Sequence, residues 1–147
     1  MYQMVHEIGV TVRSAASPEA VFRLAADSST WPEWSPVVSY ERERAGDARG
    51  VGEIRVFRNK GRKALTREEV VELTPNGRVG YVLLSGLAIH DYRAFIDLSP
   101  DGAGTVIHWH SSFEADVRGT GWLHRLVLQA VISRYARGLA AHAARSS

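Results

Sequence analysis

The stretch Ser17-Pro18-Glu19-Ala20-Val21-Phe22, and after it Trp31-Pro32-Glu33-Trp34-Ser35-Pro36, decides how this 147-residue chain is organised. Ser17 is placed to cap a helix, Pro18 takes the first helical position, where a missing N–H costs nothing, and Glu19 lies in the positively polarised first turn. Val21, Phe22, Leu24 and Ala25 supply the apolar face. The helix has to end near Asp27-Ser28-Ser29, because Pro32 drives Trp31 out of α geometry, and only a very short second helix fits around Trp34-Ser35-Pro36.

Before this helical pair, residues 7–14 alternate Ile8, Val10 and Val12 against Glu7, Thr11 and Arg13, the period of a half-buried strand. After it come strand candidates at 37–42, 52–58, 63–73, 79–85, 90–98 and 105–114. Turn residues separate them at Ala45-Gly46-Asp47, Asn59-Lys60-Gly61, Pro75-Asn76-Gly77, Gly86-Leu87 and Ser99-Pro100-Asp101-Gly102. Strands in succession without helices between them form a meander, which excludes a parallel βαβ sheet. A last helix is predicted from Gly119-Thr120-Gly121 toward Ala144, with Leu128, Val131, Tyr135 and Leu139 in one stripe and Ile132 beside it. The expected fold is α+β, one domain over 1–147: a curved antiparallel sheet of about seven strands gripping the C-terminal helix, with two short helices after strand 1.

With 45% hydrophobic and 23% charged residues, the composition is that of a globular chain. Cysteine is absent, which excludes disulfides, thiolate metal ligands and a cysteine nucleophile, and fits a reducing compartment. Met1 to Val10 has neither the basic start nor the apolar core of a signal peptide. No run approaches the ~20 apolar residues of a membrane span. A cytoplasmic location without integral membrane association is therefore expected. The formal net charge is +2 and the pI about 9.2. No acid follows Asp116, whereas Arg118, Arg125, Arg134, Arg137 and Arg145 do. A solvated helix face favoured by the helix dipole accounts for that basic tail, ahead of a nucleic-acid or anionic-lipid partner.

The order β, α, α, six strands, long helix resembles the START/Bet v1-like (helix-grip) superfamily, and in detail its polyketide cyclase/dehydrase-like branch. The marks are Ser17 to Phe22, Asp27, Trp31 to Pro36, Arg67-Glu68-Glu69-Val70-Val71, Tyr81 with Leu84-Ser85-Gly86, Asp91-Tyr92-Arg93, and Gly104-Thr105 leading to Trp109. The resemblance implies a cavity between sheet and helix that holds a small hydrophobic ligand such as a lipid or polyketide. It also implies that the short helices close one end of the cavity, with Trp31 or Trp34 at its entrance or floor.

The hairpin over 90–114 assigns faces more closely. A turn centred on Asp101-Gly102 pairs Leu98 with Thr105, Ile96 with Ile107, Ala94 with Trp109, Tyr92 with Ser111 and His90 with Phe113 on the concave side. His90, Tyr92, Trp109, Ser111 and Phe113 would then face Leu128, Val131 and Tyr135, apolar walls with a few polar tips. Filling the core is the plainer reading for any one of these side chains. The candidate acid–base groups are His90, Tyr92 and, less directly, Glu68; His90 could take a proton from a carbon next to a carbonyl while Tyr92 or Ser111 holds the oxygen. On the other face His108 and His110 stand two residues apart, a metal-site spacing, but Arg93 is expected opposite His110 and no third ligand is apparent, so no metal is expected. Gly46, Gly50, Gly52 and Gly61 do not form a G-x-G-x-x-G entering a helix, so no nucleotide or other cofactor is expected. The aromatic residues are not interleaved with lysine or arginine, which argues against nucleic acid. Trp122, Leu123 and Leu126 project away from the helix stripe, beneath a covering loop or at a subunit contact, so monomer and homodimer both stay open.

Three functions fit these features: a binding protein for a small hydrophobic or aromatic ligand, a cyclase/dehydratase-type enzyme using the same cavity, or an interaction module whose interior is filled. A cavity of ~300 Å³ or more would set the last aside.

Overall fold

The computed structural model describes residues 4–146, so the reading of Met1 to Gln3 lies outside it. Strand β1 (His6–Ser14) leads to helix α1 (Pro18–Ala26), a 3-10 turn over Ser28–Thr30 and helix α2 (Trp31–Trp34). Strands β2 (Val37–Arg44), β3 (Ile54–Asn59), β4 (Leu65–Thr74), β5 (Arg78–Ser85), β6 (Ile89–Asp101) and β7 (Gly104–Ala115) follow, then helix α3 (Gly121–Ser146). The Ser17 cap is the one the sequence offers, whereas Asp27 adds a cap beyond the expected one. Ser17 accepts from the Ala20 amide at 3.2 Å, and Asp27 accepts from the Ser29 amide at 3.0 Å. Trp31 is not driven out of α geometry: Pro32 restricts it, yet it is αR, closing the 3-10 turn and opening α2 three residues ahead of the helix expected around Trp34-Ser35-Pro36.

All seven strands join one antiparallel sheet in the order β1-β7-β6-β5-β4-β3-β2. The meander accounts for every neighbour except β1, which closes against β7 and brings the start of the chain beside α3. There Gln129 donates to the Gly9 carbonyl at 2.8 Å, and its side-chain oxygen accepts from the Gly9 amide at 3.2 Å.

The grip on α3 is uneven, and this unevenness makes the site. In the C-terminal half Ile132, Tyr135, Ala136, Leu139, Ala140 and Ala143 are buried. Small side chains let the helix come close: a Cβ on Gly138 would stand 1.8 Å from the Trp34 carbonyl oxygen. In the N-terminal half Leu128 and Val131 are only half-buried, and Trp122, Leu123, Leu126 and Val127 are exposed. The helix is thus pinned across the sheet at its C-terminal end. Its N-terminal half rests on β1, through Gly121 against His6, Arg125 on the Glu7 carbonyl and Gln129 on Gly9, and leaves the faces of β3 to β6 uncovered. The loop expected over Trp122 does not cover it.

Two details of the hairpin differ from expectation. The turn centres on Gly102-Ala103, with Gly102 at φ 60, so Leu98 faces Ile107 and Ile96 faces Trp109. This moves each partner by two residues, an even step that leaves the face assignments unchanged. At the other end a β-bulge falls between His90 and Arg93, with Asp91 at φ 52. The extra residue reverses the alternation, so Ile89 turns inward and His90 turns out.

Candidate functional site

Between the N-terminal half of α3 and the concave face of β3, β4, β5 and β6 lies a cavity of about 550 Å³. Leu128, Val131 and Ile132 line it from the helix, Leu83 and Leu87 from the sheet side. Its polar side chains include Glu68, Tyr81, Tyr92, Tyr135, Asn59, Thr66 and, from α3, His124. Lys60, Arg62 and Arg134 contribute to the lining near the mouth.

A buried ion pair organises the floor. Arg55 on β3 is fully buried, with its guanidinium carbon 4.2, 4.7 and 4.8 Å from the ring centres of Trp31, Phe57 and Tyr81. Register places it opposite Glu68, and its Nε and Nη2 donate to one Glu68 oxygen at 3.1 and 2.9 Å. Nη1 donates to Ser28 Oγ at 3.0 Å, and Ser28 in turn donates to Glu53 at 2.5 Å. Glu53 also accepts from Tyr40 at 2.7 Å and Arg42 at 3.1 Å. The chain of contacts fixes the guanidinium on three sides and leaves the Glu68 side chain, 13% exposed, at the cavity wall.

Burial pushes the Glu68 carboxyl up, and Arg55 pulls it part of the way back. The phenols around it are held neutral by the same desolvation: Tyr92 is pushed up to about 12, and Tyr81 and Tyr135 are also raised. Two are tied down. Tyr81 accepts from Trp109 Nε1 at 3.2 Å, and Tyr135 donates to Asn59 Oδ1. The cavity therefore offers an apolar body, one carboxyl group that can accept or carry a proton, and hydroxyls that can hold an oxygen atom.

Of the residues the sequence singles out, Tyr92, Leu128, Val131 and Tyr135 line the cavity. Trp31, Trp34, Trp109, Ser111 and Phe113 are buried behind it. Trp31 packs within 6 Å of Trp34, Phe57, Tyr81, Trp109 and Tyr135, and forms the wall on which Arg55 rests. The expectation that His90 points into the cavity is corrected: beyond the bulge its side chain is 39% exposed, with Nδ1 2.8 Å from Asp116 and Nε2 3.5 Å from Glu114. Asp116 raises its pKa. Arg55 escaped the sequence reading altogether. The available signal was parity, since Arg55 shares its side of β3 with Phe57 and stands opposite a carboxylate on β4.

On the convex face the histidine pair also has a different neighbour from the one expected. Phe95, not Arg93, lies opposite His110, and Asp97 lies opposite His108. Asp97 Oδ2 is 2.7 Å from His110 Nε2, and the two imidazoles stack at 4.4 Å. This carboxylate is already engaged by Arg78, at 2.5 and 3.0 Å. No helix among the described residues is long and apolar enough to cross a membrane.

Residues 5–146 match the family described as polyketide cyclase / dehydrase and lipid transport. The chain belongs to that family. Its fold is accordingly the START/Bet v1 helix grip, and solved structures agree. A START superfamily protein from Mycobacterium smegmatis superposes with a TM-score of 0.84 at 16% identity, covering 97% of this chain and 99% of that one. Norcoclaurine synthase from Thalictrum flavum, in complex with dopamine and hydroxybenzaldehyde, gives 0.78 at 16%, covering 99% and 90%. The protein XoxI from Bacillus cereus gives 0.77 at 15%, covering 92% and 94%. Identities this low speak for the fold alone. Comparison with curated protein sequences returns no match.

Proposed function

We propose that this family member binds a small hydrophobic or aromatic molecule in the cavity under α3, with the molecule's polar end toward Glu68 and the tyrosines. The observation that carries this reading is a cavity of about 550 Å³ with apolar walls and a built polar floor. The volume is within the range of small-molecule sites and above that of a filled interior, which supports ligand binding over the interaction module. The family description and the aromatic ligands of the norcoclaurine synthase structure point in the same direction. A single domain in the cytoplasm, as monomer or homodimer, belongs to the same proposal.

Titration with naphthalene and with naphthol tests it. Both should bind, naphthol more tightly because its hydroxyl can donate to Glu68, and Val131→Trp should abolish both by filling the space. Absence of binding by either compound, or equal binding to Val131→Trp, would sink the proposal.

A second reading, a cyclase/dehydratase, is favoured by one specific feature: a carboxyl whose pKa is raised by burial faces the cavity among neutral phenols. In this reading Glu68 replaces His90 as the base. Its carboxylate removes a proton from the carbon beside a carbonyl, Tyr92 donates to the carbonyl oxygen, and the protonated Glu68 returns the proton to the departing hydroxyl as water. A β-hydroxyketone converted to its enone by the wild type, and not by Glu68→Gln with binding retained, would establish it.

A further inference from the structure

Three of the four tryptophans, Trp31, Trp34 and Trp109, are core residues, whereas Trp122 in the first turn of α3 is 63% exposed. Leu126, one helical turn on, is also 63% exposed, and Leu123 and Val127 in the neighbouring row are 49% and 38% exposed. The two rows form a continuous apolar patch on the N-terminal half of α3, on the side turned away from β1. Leu123 and Val127 also line the cavity, so the patch is one lip of its mouth. Isolated exposed leucines are ordinary, but a contiguous patch headed by tryptophan marks an interaction surface.

Charge identifies the partner. The segments framing the mouth are the β3–β4 connection, with Lys60 and Arg62 in the lining, and α3, with Arg134. Neither α3 nor residues 59–67 contain an acid. The one acid of the cavity lining, Glu68, is at the floor and paired with Arg55. Asp116, ahead of α3, is bound to His90. A second copy docking through this patch about a two-fold axis would bring like charges together. An anionic bilayer surface complements both features, with phosphates for the cations and an interfacial apolar layer for an indole and leucines.

We infer that the cavity mouth docks on anionic membrane, with Trp122, Leu123 and Leu126 entering the headgroup–acyl boundary and Lys60, Arg62 and Arg134 lying against lipid phosphates. The cavity then opens toward the bilayer, and a sparingly soluble ligand moves between the two without crossing bulk water. The docking itself does not depend on what the cavity holds.

The test uses vesicles of phosphatidylcholine alone and of phosphatidylcholine with phosphatidylglycerol in equal parts. The wild type should sediment with the anionic vesicles, with its tryptophan emission shifting to the blue, because Trp122 is the indole exposed to water beforehand. Binding should fall as salt is added. Trp122→Ala with Leu126→Ala should weaken it about tenfold or more. Lys60→Gln and Arg134→Gln should each weaken it about fivefold. All these side chains are exposed, so unchanged thermal melting separates lost docking from lost folding. Equal partition onto both vesicle types, or vesicle binding untouched by the double alanine variant, overturns the inference. A concentration-dependent dimer that the alanine pair dissociates, without vesicle binding, assigns the patch to a second copy instead. Binding to polyglutamate with no response to vesicles assigns it to an acidic protein, which also overturns it.

Discussion

Removing Arg55 alone should damage the protein far more than removing Arg55 and Glu68 together. Arg55→Met leaves the Glu68 carboxylate at the cavity wall without the two hydrogen bonds of 3.1 and 2.9 Å that hold it. Glu68→Met leaves a fully buried guanidinium against three aromatic rings, with the Ser28 hydroxyl still accepting from its Nη1. Breaking one side of a buried pair costs about 3–5 kcal/mol, whereas replacing both sides with apolar residues of similar size is often neutral or stabilising. With ~2.1 cal/mol/K of unfolding entropy per residue, a chain of this length shifts by about 3 °C per kcal/mol, so each single variant should melt about 10–15 °C lower. The double variant should melt near the wild type, because Ser28 still donates to Glu53. The Arg55→Met defect should also ease as pH falls. The Glu68 carboxyl is already raised in the folded protein and rises further without Arg55, so the cost of its charge is full above the folded pKa and gone below the unfolded value. Urea unfolding of all four proteins, followed by tryptophan fluorescence, closes the cycle. Additive effects, or single variants that lose less than about 1 kcal/mol, would refute the reasoning.

Gly138→Ala should destabilise by about 1–3 kcal/mol net of the helix propensity gained, since the new Cβ meets backbone of α2; a higher melting temperature would contradict the close approach. His90 should titrate above its ordinary 6.5 in a pH series of imidazole NMR shifts, and Asp116→Asn should bring it down. Because that pKa is raised on folding, its stabilising contribution is complete below about 6.5 and fades as pH rises through the folded value, so an Asp116→Asn protein whose melting deficit grows with pH contradicts the assignment. Leu128→Trp should reduce the cavity with little loss of stability, because Leu128 is only half-buried and points into open space; a collapse on the scale of a core overpacking would mean the cavity is closed.

What the sequence made legible follows from periodicity. The order of elements, the Ser17 cap, the seven-stranded meander and the inward faces of Tyr92, Trp109, Ser111 and Phe113 all depend on local patterns of period 2 or 3.6. The even slip of the hairpin register did no harm to those faces. His90 failed because a single inserted residue reverses parity. Its trace was present in Ile89 and Tyr92, two apolar residues three apart that strict alternation cannot both turn inward. Asp91 between them is of a type that tolerates positive φ. Arg55 failed for another reason: no propensity marks an arginine as buried, and its partners Ser28 and Trp31 on one side and Glu68 on the other come from two segments far from it in the chain. The cavity itself depends on how far α3 stands from the sheet, which Gly138 and the alanines at one end set through contacts that no local pattern encodes.

The central claim is that the space under α3 holds a small apolar molecule, and native mass spectrometry of the freshly purified protein addresses it most directly. The account predicts an added mass in the native spectrum that is lost on denaturation and missing from Val131→Trp. An added mass that persists unchanged in Val131→Trp, or a bare chain that also stays bare after incubation with naphthol, would contradict it.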